Sequence, residues 1–292
     1  MQLSVILSTR NNAGMLGDFL SALSRCRQPD SWEVIIVDNA SLDDTRKVIE
    51  HFSKLLPLKY CFQAIPGKSV SLNLGLSGAC GEIVLFTDDD VIPDSAWLVN
   101  HIKAMNQNPD INIIGGKIVV DRTIMPSWLE RSYNLKGILV TEHDKGDAPA
   151  IYADGDYPFG PNMSVRKSRL EGRINPWPED IGPGTTIPVG DESAFCRNFS
   201  DMSDKDRLYD PACIVEHRPR IGKNFFRQSM KRCFIGGYTA AVYFPSLSRP
   251  ENELGSLTRY IGWRLFKLRS IQEFFCVGSR ALGYAWGRMR AE

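Results

Sequence analysis

The chain carries no Gly-x-Gly-x-x-Gly after its first apolar segment and no Gly-x-x-x-x-Gly-Lys-[Ser/Thr] anywhere. That excludes the dinucleotide fingerprint and the P-loop phosphate cradle. Its seven cysteines (Cys26, Cys61, Cys80, Cys196, Cys213, Cys233 and Cys276) are scattered, with no Cys-x-x-Cys pair, and no zinc-ligand spacing is visible. A reduced, cytoplasmic setting is the simplest account. No stretch of about 18 apolar residues is present, so no membrane-spanning helix is expected. Met1-Gln2 leads directly into an apolar segment, so no signal peptide is expected either.

With 292 residues, 43% of them hydrophobic, the chain suits one large globular domain or two small ones. The net charge of +1 hides an asymmetry: from Arg218 onward there are 14 Lys and Arg against 4 Asp and Glu. The body is therefore acidic and the tail basic, which points the tail toward an anionic surface.

Leu3 to Thr9 reads as a strand, and Met15, Leu16, Phe19, Leu20 and Leu23 follow at helical spacing. Trp32 to Val37 is a second buried strand, closed by Asp38-Asn39-Ala40-Ser41. A helix with Val48, Ile49 and Phe52 on its apolar face comes next, then a short strand at Lys59 to Phe62. Pro66-Gly67-Lys68 turns into a helix over Ser69 to Ala79, and Ile83 to Thr87 is a further strand. This βαβαβαβ order predicts a mostly parallel open sheet with helices on both faces.

The last of these strands ends in Asp88-Asp89-Asp90. Three adjacent carboxylates repel, and none is buried cheaply without a partner. A hard divalent cation is the simplest partner, and the carboxyl ends of strands are where open α/β sheets bind ligands. The plainer reading is an acidic turn before a helix beginning near Pro93 and Asp94. Polar residues also close the first two strands, at Thr9-Arg10-Asn11 and Asp38-Asn39, on the same rim.

Taken together, Val5 to Asn12, Val37-Asp38-Asn39-Ala40-Ser41, Gly67 to Gly75 and Thr87 to Val91 resemble the family-2 glycosyltransferases of the GT-A fold. Gly160-Pro161-Asn162-Met163-Ser164-Val165-Arg166 resembles that family's G-x-N-m-s-x-R segment. Asp191 to Arg197 resembles its (E)D-x-x-x-x-x-R motif, and Tyr209-Asp210-Pro211 to His217 its late P…V-x-H element. The resemblance covers roughly residues 1–220. It departs at Gly190, where the family carries Glu, and at Lys68, with no Arg in the helix that follows.

The resemblance implies an α/β GT-A domain over 1–220, with a Rossmann-like nucleotide-sugar-binding half (1–91) and an acceptor-side half (92–220). It implies an inverting transfer from a nucleoside-diphosphate sugar, a UDP-sugar first, to a hydroxyl of a glycan or lipid-linked acceptor. Asp90 is then the ligand of a divalent Mn or Mg ion, joined by His217, and Asp191 is the base. Thr9, Arg10, Asn12, Asp38, Asn39, Lys68, Asn73, Asp88 and Asp89 line the donor site. Asp38 suits a uracil N–H, Lys68 the diphosphate, and Asn73 either the ribose region or a loop lock. Glu192 is the reserve base, and Arg218 and Arg220 are candidate phosphate contacts.

Residues 121–160 hold Trp128, Tyr133, Tyr152, Tyr157 and Phe159, read first as packing aromatics. Trp177, between two prolines and ahead of Gly182-Pro183-Gly184, reads as part of a mobile acceptor-side loop. In the basic tail (221–292), aromatic and basic residues alternate at helical spacing around Phe225–Ile235, Tyr260–Arg269 and Phe274–Trp286. That pattern fits a C-terminal amphipathic helical extension lying on the inner face of the cytoplasmic membrane; packing against the body is the alternative. No recognition motif accompanies the charge, so no nucleic-acid partner is expected. A sugar-1-phosphate nucleotidyltransferase would need a Gly-rich basic loop where Arg10-Asn11-Asn12-Ala13-Gly14 stands. A non-catalytic scaffold would have no need of Asp38, Asp88, Asp90 and Asp191 together.

Overall fold

The computed structural model describes residues 1–132, 135–153, 156–198, 206–243 and 271–291. Strands β1 (Leu3–Thr9), β2 (Trp32–Asp38), β3 (Leu58–Phe62) and β4 (Ile83–Thr87) alternate with helices α1 (Ala13–Arg25), α2 (Thr45–Phe52) and α3 (Lys68–Ser77). They pair in parallel in the order β3-β2-β1-β4. Every residue of β2 is buried, as expected of a strand covered on both faces. Along β1 the side chains alternate: Leu3, Val5 and Leu7 join one core with Leu16, Phe19, Leu20 and Leu23 of α1, while Ile6 joins a second core with Leu72 of α3. Gly75 lets α3 lie close on the sheet, because a Cβ there would stand 2.6 Å from Ile6 Cγ2.

Beyond β4 the direction changes. β5 (Val91–Pro93), α4 (Trp97–Gln107), β6 (Ile113–Val120), β7 (Ala150–Ile151), β8 (Asn162–Arg166), α7 (Asp191–Arg197) and β9 (Arg207–His217) complete this part of the fold. β8 pairs antiparallel with β4 and with β6, and β9 antiparallel with β5 and β7. The nine-stranded sheet runs β3-β2-β1-β4-β8-β6-β9-β5, with β7 on β9. It is parallel in the half read from the sequence and antiparallel beyond, hence mixed as a whole. The helix start expected at Pro93 and Asp94 is displaced: Val91–Pro93 form the edge strand, where a proline without an N–H is tolerated, and α4 begins at Trp97.

The antiparallel half is pinned by one buried polar network. Asn162 Nδ2 donates to the carbonyls of Lys117 (3.0 Å) and Cys213 (2.8 Å). Its Oδ1 is therefore the acceptor for Trp97 Nε1 and His101 Nε2, each at 2.9 Å. His101 Nδ1 is left to accept from the Ser164 hydroxyl at 2.8 Å. Arg166, the last residue of the same motif, donates to the carbonyls of Met105, Asn108 and Ile111 and so closes the end of α4. The Gly160–Arg166 segment thus does architectural work beside the site.

The described residues divide into two units. The first comprises Met1–Val119, His143–Thr186 and Asp191–Arg218; the second comprises Val120–Glu142, Ile187–Gly190 and Pro219–Glu292. Residues 120–142 therefore group with the C-terminal helices, unlike the 1–220 and 221–292 division read from the sequence. Within the second unit, α5 (Ser127–Glu130), α6 (Lys136–Val140), α8 (Phe225–Val242) and α9 (Ile271–Ala291) share a core of Leu129, Leu139, Val140, Phe225, Cys233 and Cys276. Gly237 lies against Arg280 and Gly287 against Ala241, so α8 and α9 run side by side in the same direction with their backbones in contact. Tyr133 and the expected Tyr260–Arg269 helix lie outside the described residues.

Candidate active site

The rim formed by the carboxyl ends of β1, β2 and β4 gathers most of the expected residues, in small bonded groups. Thr9 Oγ1 donates to Asp89 Oδ2 at 2.6 Å, and Asn12 Nδ2 donates to Asp89 Oδ1 at 2.8 Å. Asp89 therefore braces the loop after β1 against the triplet, a role the sequence reading did not give it. Burial pushes its carboxyl up to about 6, against the pull of the two hydrogen bonds. Arg10 is exposed on the same loop.

The loop after β2 is tied to this one. Asn11 donates its backbone N–H to Ser41 Oγ at 3.0 Å, and Leu42 N–H returns a bond to Asn11 Oδ1 at 2.7 Å. Asp38, almost fully buried, accepts from Ser41 N–H at 2.9 Å and from the Tyr60 hydroxyl at 3.3 Å. Tyr60 was not singled out in the sequence; its position follows from the β2–β3 register, which sets it opposite Ile36.

Two expected donor-site residues hold neighbouring loops. Asn39 donates to the carbonyls of Gln63 and Ile65 and accepts from Gly67 N–H, so it holds the loop into α3. Asn73 donates to the Trp177 carbonyl and Glu179 and accepts from Trp177 N–H, which is the loop lock of its two expected roles. The expected mobile loop around Trp177 is also corrected. The indole is fully buried, stacked on Phe195 at 4.2 Å and edge-on to Phe86 at 5.0 Å, because so large an apolar surface is worth more inside. Tyr152 and Phe159 prove to be packing residues stacked on His143.

At the start of α3, Lys68 Nζ pairs with Asp88 Oδ1 at 2.5 Å. Burial favours the neutral amine, but the charges of Asp88, Asp191 and Glu192 outweigh it and keep Lys68 protonated. Burial pushes the Asp88 carboxyl up while Lys68 pulls against it. Lys68 N–H also donates to the Pro183 carbonyl at 2.9 Å, which seats the Gly182-Pro183-Gly184 loop on the head of α3.

Strand pairing delivers the last two groups. Val91 lies opposite His217 in the β5–β9 ladder, and His217 Nε2 is 3.5 Å from Asp90 Oδ2. Burial raises the Asp90 carboxyl, but His217 and Lys68 more than offset this and hold it below the ordinary carboxylate range. Asp90 Oδ1 is buried with no partner. Arg218 turns its guanidinium to Asp18 and Glu216, not to this group. Asp191 opens α7, nearly fully buried, with Oδ2 unpartnered. Burial first, and then the neighbouring Glu192, push its carboxyl well above the ordinary range. Gly190 has φ +101°, a backbone region that disfavours any side chain, which accounts for the missing Glu.

A model of glycosyl transferase family 2 matches residues 4–157. The chain belongs to this family. It is 27% identical to chondroitin synthase from Escherichia coli over 121 residues, 41% of this chain and 18% of that protein. The fold resembles that of mannosyltransferase PcManGT from Pyrobaculum calidifontis, solved with GDP-Man and Mn2+ (TM-score 0.58, 18% identity, 99% of this chain and 72% of that one). It also resembles glucosyl-3-phosphoglycerate synthase from Mycobacterium tuberculosis, solved with Mn2+, UDP-glucose and phosphoglyceric acid (TM-score 0.54, 17% identity, 81% and 77%). At these identities the likeness establishes the fold, which is GT-A as the sequence motifs imply. The chain spans less than a fifth of the chondroitin synthase it matches.

Among the described residues, no group of three or more His, Cys, Asp and Glu side chains converges as a ready-made metal cage. Asp90 and His217 nevertheless fit a divalent ion. One offers an unpartnered buried oxygen and the other an imidazole nitrogen. Mg2+-type sites commonly take one or two protein ligands and complete the shell with phosphate oxygens and water.

Proposed function

We propose that the protein is an inverting, metal-dependent glycosyltransferase. The donor is a nucleoside-diphosphate sugar, a UDP-sugar first and a dTDP- or GDP-sugar behind it. The acceptor is a hydroxyl of a glycan or a lipid-linked glycan. The observation that carries this reading is that one buried carboxylate oxygen of Asp90 and one of Asp191 lack a hydrogen-bond partner, while Asp38, Asp88 and Asp89 are each braced by a neighbouring group. Buried unpartnered carboxylate oxygens are costly, and they persist where a ligand completes them.

In this reading Asp38 accepts an N–H from the base, with Tyr60 fixing the carboxylate. Lys68 and Asp88 border the diphosphate, and Asp90 and His217 hold the ion. A bound divalent ion supplies charge neutralisation for the departing diphosphate. Asp191 takes the proton from the acceptor hydroxyl as its oxygen bonds to the anomeric carbon and the diphosphate leaves with the electron pair. A nucleotidyltransferase reading draws no support from the loop after β1, which is polar and bonded to Asp89 and Asp43 rather than Gly-rich and basic.

The reading includes attachment to an anionic membrane surface through α8 and α9. These helices carry six basic residues, Arg227, Lys231, Arg232, Arg280, Arg288 and Arg290, and one acid, Glu273. Glu273 is buried and accepts from Ser132 Oγ at 2.6 Å, so the exposed charge is basic. Phe275, Leu282, Trp286 and Met289 form an exposed apolar stripe on α9, with Arg290 over the Trp286 ring at 5.1 Å. No helix among the described residues is long and apolar enough to cross a membrane. The function is tested by a donor screen that reads nucleotide release from UDP-, GDP- and dTDP-sugars with Mn2+ and acceptor glycans. No release from any donor would contradict it.

A further inference from the structure

Strand β3 is the outer strand of the parallel half, and its two faces have different surroundings. Cys61 packs against the core that holds Ile35, Val37 and Leu72. Leu58, Tyr60 and Phe62 point to the opposite face, because side chains alternate along a strand. There Leu58 packs against the core around Ile49. Tyr60 is 37% exposed, with the Arg46 guanidinium over its ring at 5.6 Å from the centroid, and Phe62, nearest the rim, is 56% exposed. Phe62 is paired with Asp38 in the parallel β2–β3 ladder. Residues paired in this way lie about 4.8 Å apart and turn their side chains to the same face. The bond from Gln63 N–H to the Asp38 carbonyl, at 2.9 Å, carries this register to the rim. The Asp38 carboxylate is itself held, by Ser41 N–H on Oδ1 at 2.9 Å and by the Tyr60 hydroxyl on Oδ2 at 3.3 Å. The rim segments 9–12, 38–44 and 88–90 contain no aromatic residue, so it is β3 that brings an aromatic face to Asp38.

We infer that Phe62 is a binding residue of the donor site: its ring stacks on the nucleobase whose N–H the Asp38 carboxylate accepts. This rests on the reading of Asp38 as the base contact. A planar heteroaromatic ring is the ligand that uses both neighbours at once. Its edge carries the N–H for the carboxylate, and its face covers the exposed Phe62 ring. A sugar hydroxyl or a diphosphate could bond to polar groups of the rim but would leave Phe62 in water. Every base has a π-face, so stacking supplies affinity without choosing among bases. The choice falls to Asp38, which Tyr60 and Ser41 hold in one orientation beside the ring.

The test is calorimetry of UDP and GDP, each with Mg2+, in the wild type, Phe62→Ala, Phe62→Leu, Phe62→Tyr and Asp38→Ala. Proton NMR of the bound nucleotide, also with Mg2+, reads the base resonances directly. Phe62 is exposed, so the variants should fold, and circular dichroism checks this. For whichever nucleotide the wild type binds more tightly, Phe62→Ala should weaken binding by about fivefold or more, the low end for loss of one base–aromatic stack. Phe62→Leu, apolar but without a ring, should also weaken it, and Phe62→Tyr should keep it. The base protons should shift upfield on binding to the wild type and to Phe62→Tyr, and not on binding to Phe62→Leu. Unchanged affinity in Phe62→Ala, or no upfield shift in the wild type, would overturn the inference. A change in oligomeric state in Phe62→Ala with nucleotide affinity unchanged would overturn it too, and would assign the ring to a contact between copies of the chain. Failure of the underlying reading looks different: the wild type binds neither nucleotide, or Asp38→Ala binds as tightly as the wild type. Either result would remove Asp38 from the base site, and Phe62 with it.

Discussion

His217 Nε2 stands 3.5 Å from Asp90 Oδ2 because Val91 and His217 are paired residues of an antiparallel ladder. The two groups are far apart in the sequence, and the edge strand Val91–Pro93 is what joins them. The ladder also gives Arg218 N–H a bond to the Asp90 carbonyl at 2.9 Å, which fixes the backbone of the triplet.

Replacing Asp191 by Asn should leave donor affinity and folding intact and lower transfer by roughly 10²-fold or more, the range for loss of a general base. Nucleotide binding by calorimetry and turnover with a matched acceptor check the two halves separately. Unchanged turnover would remove Asp191 from the chemistry.

Trp177→Ala should destabilise the first unit by about 3–5 kcal/mol, because it empties the space between Phe86 and Phe195. Urea unfolding followed by circular dichroism measures this. A loss below about 1 kcal/mol would be that of a surface loop residue rather than a core one.

Much of this was legible in the sequence. The four parallel strands announced themselves as apolar runs separated by helical spacing, and the polar residues at their ends marked the rim. Asp88, Asp90, Asp191, Lys68 and His217 stood in ordered motifs. What could not be read is set by contacts between distant segments. Nothing near Asn39 or Asn73 signals that their amides are consumed by the 63–67 and 177–179 backbones. Trp177 sits amid prolines and glycines that mark a loop, and a loop can still bury one large side chain. Tyr60 reaches Asp38 through strand register, which no local pattern encodes.

Stability should fall as pH drops below about 6.5. Burial pushes the His101 imidazole down to about 4 from its ordinary value near 6.5, and the His143 imidazole likewise to about 4. In that window the unfolded chain binds the proton and the folded protein does not, so stability is present above it and lost through it. Each histidine contributes a slope of about 1.4 kcal/mol per pH unit at most. Urea unfolding between pH 7 and 5 should show this, with a shallower slope in His101→Gln. An equal slope in that variant would assign the effect to other groups.

The protein should float with vesicles containing anionic phospholipid at low salt, and about 0.5 M salt should weaken this by screening. The exposed-stripe variant Leu282→Ser/Trp286→Ser/Met289→Ser should remain in the vesicle-free fraction while still binding UDP. Equal flotation of the two forms, or none by the wild type, would contradict the membrane role of α9.

The central claim is that Asp90 and His217 hold a divalent ion that binds the donor's diphosphate. Calorimetry of UDP and GDP with and without Mn2+, in the wild type and in Asp90→Ala, tests it most directly. Mn2+ should tighten binding of one nucleotide by about tenfold or more in the wild type, as expected for a metal that bridges carboxylate and phosphate, and should have no effect in the variant. The same Mn2+ enhancement in both proteins, or no nucleotide binding by the wild type under either condition, would contradict the account.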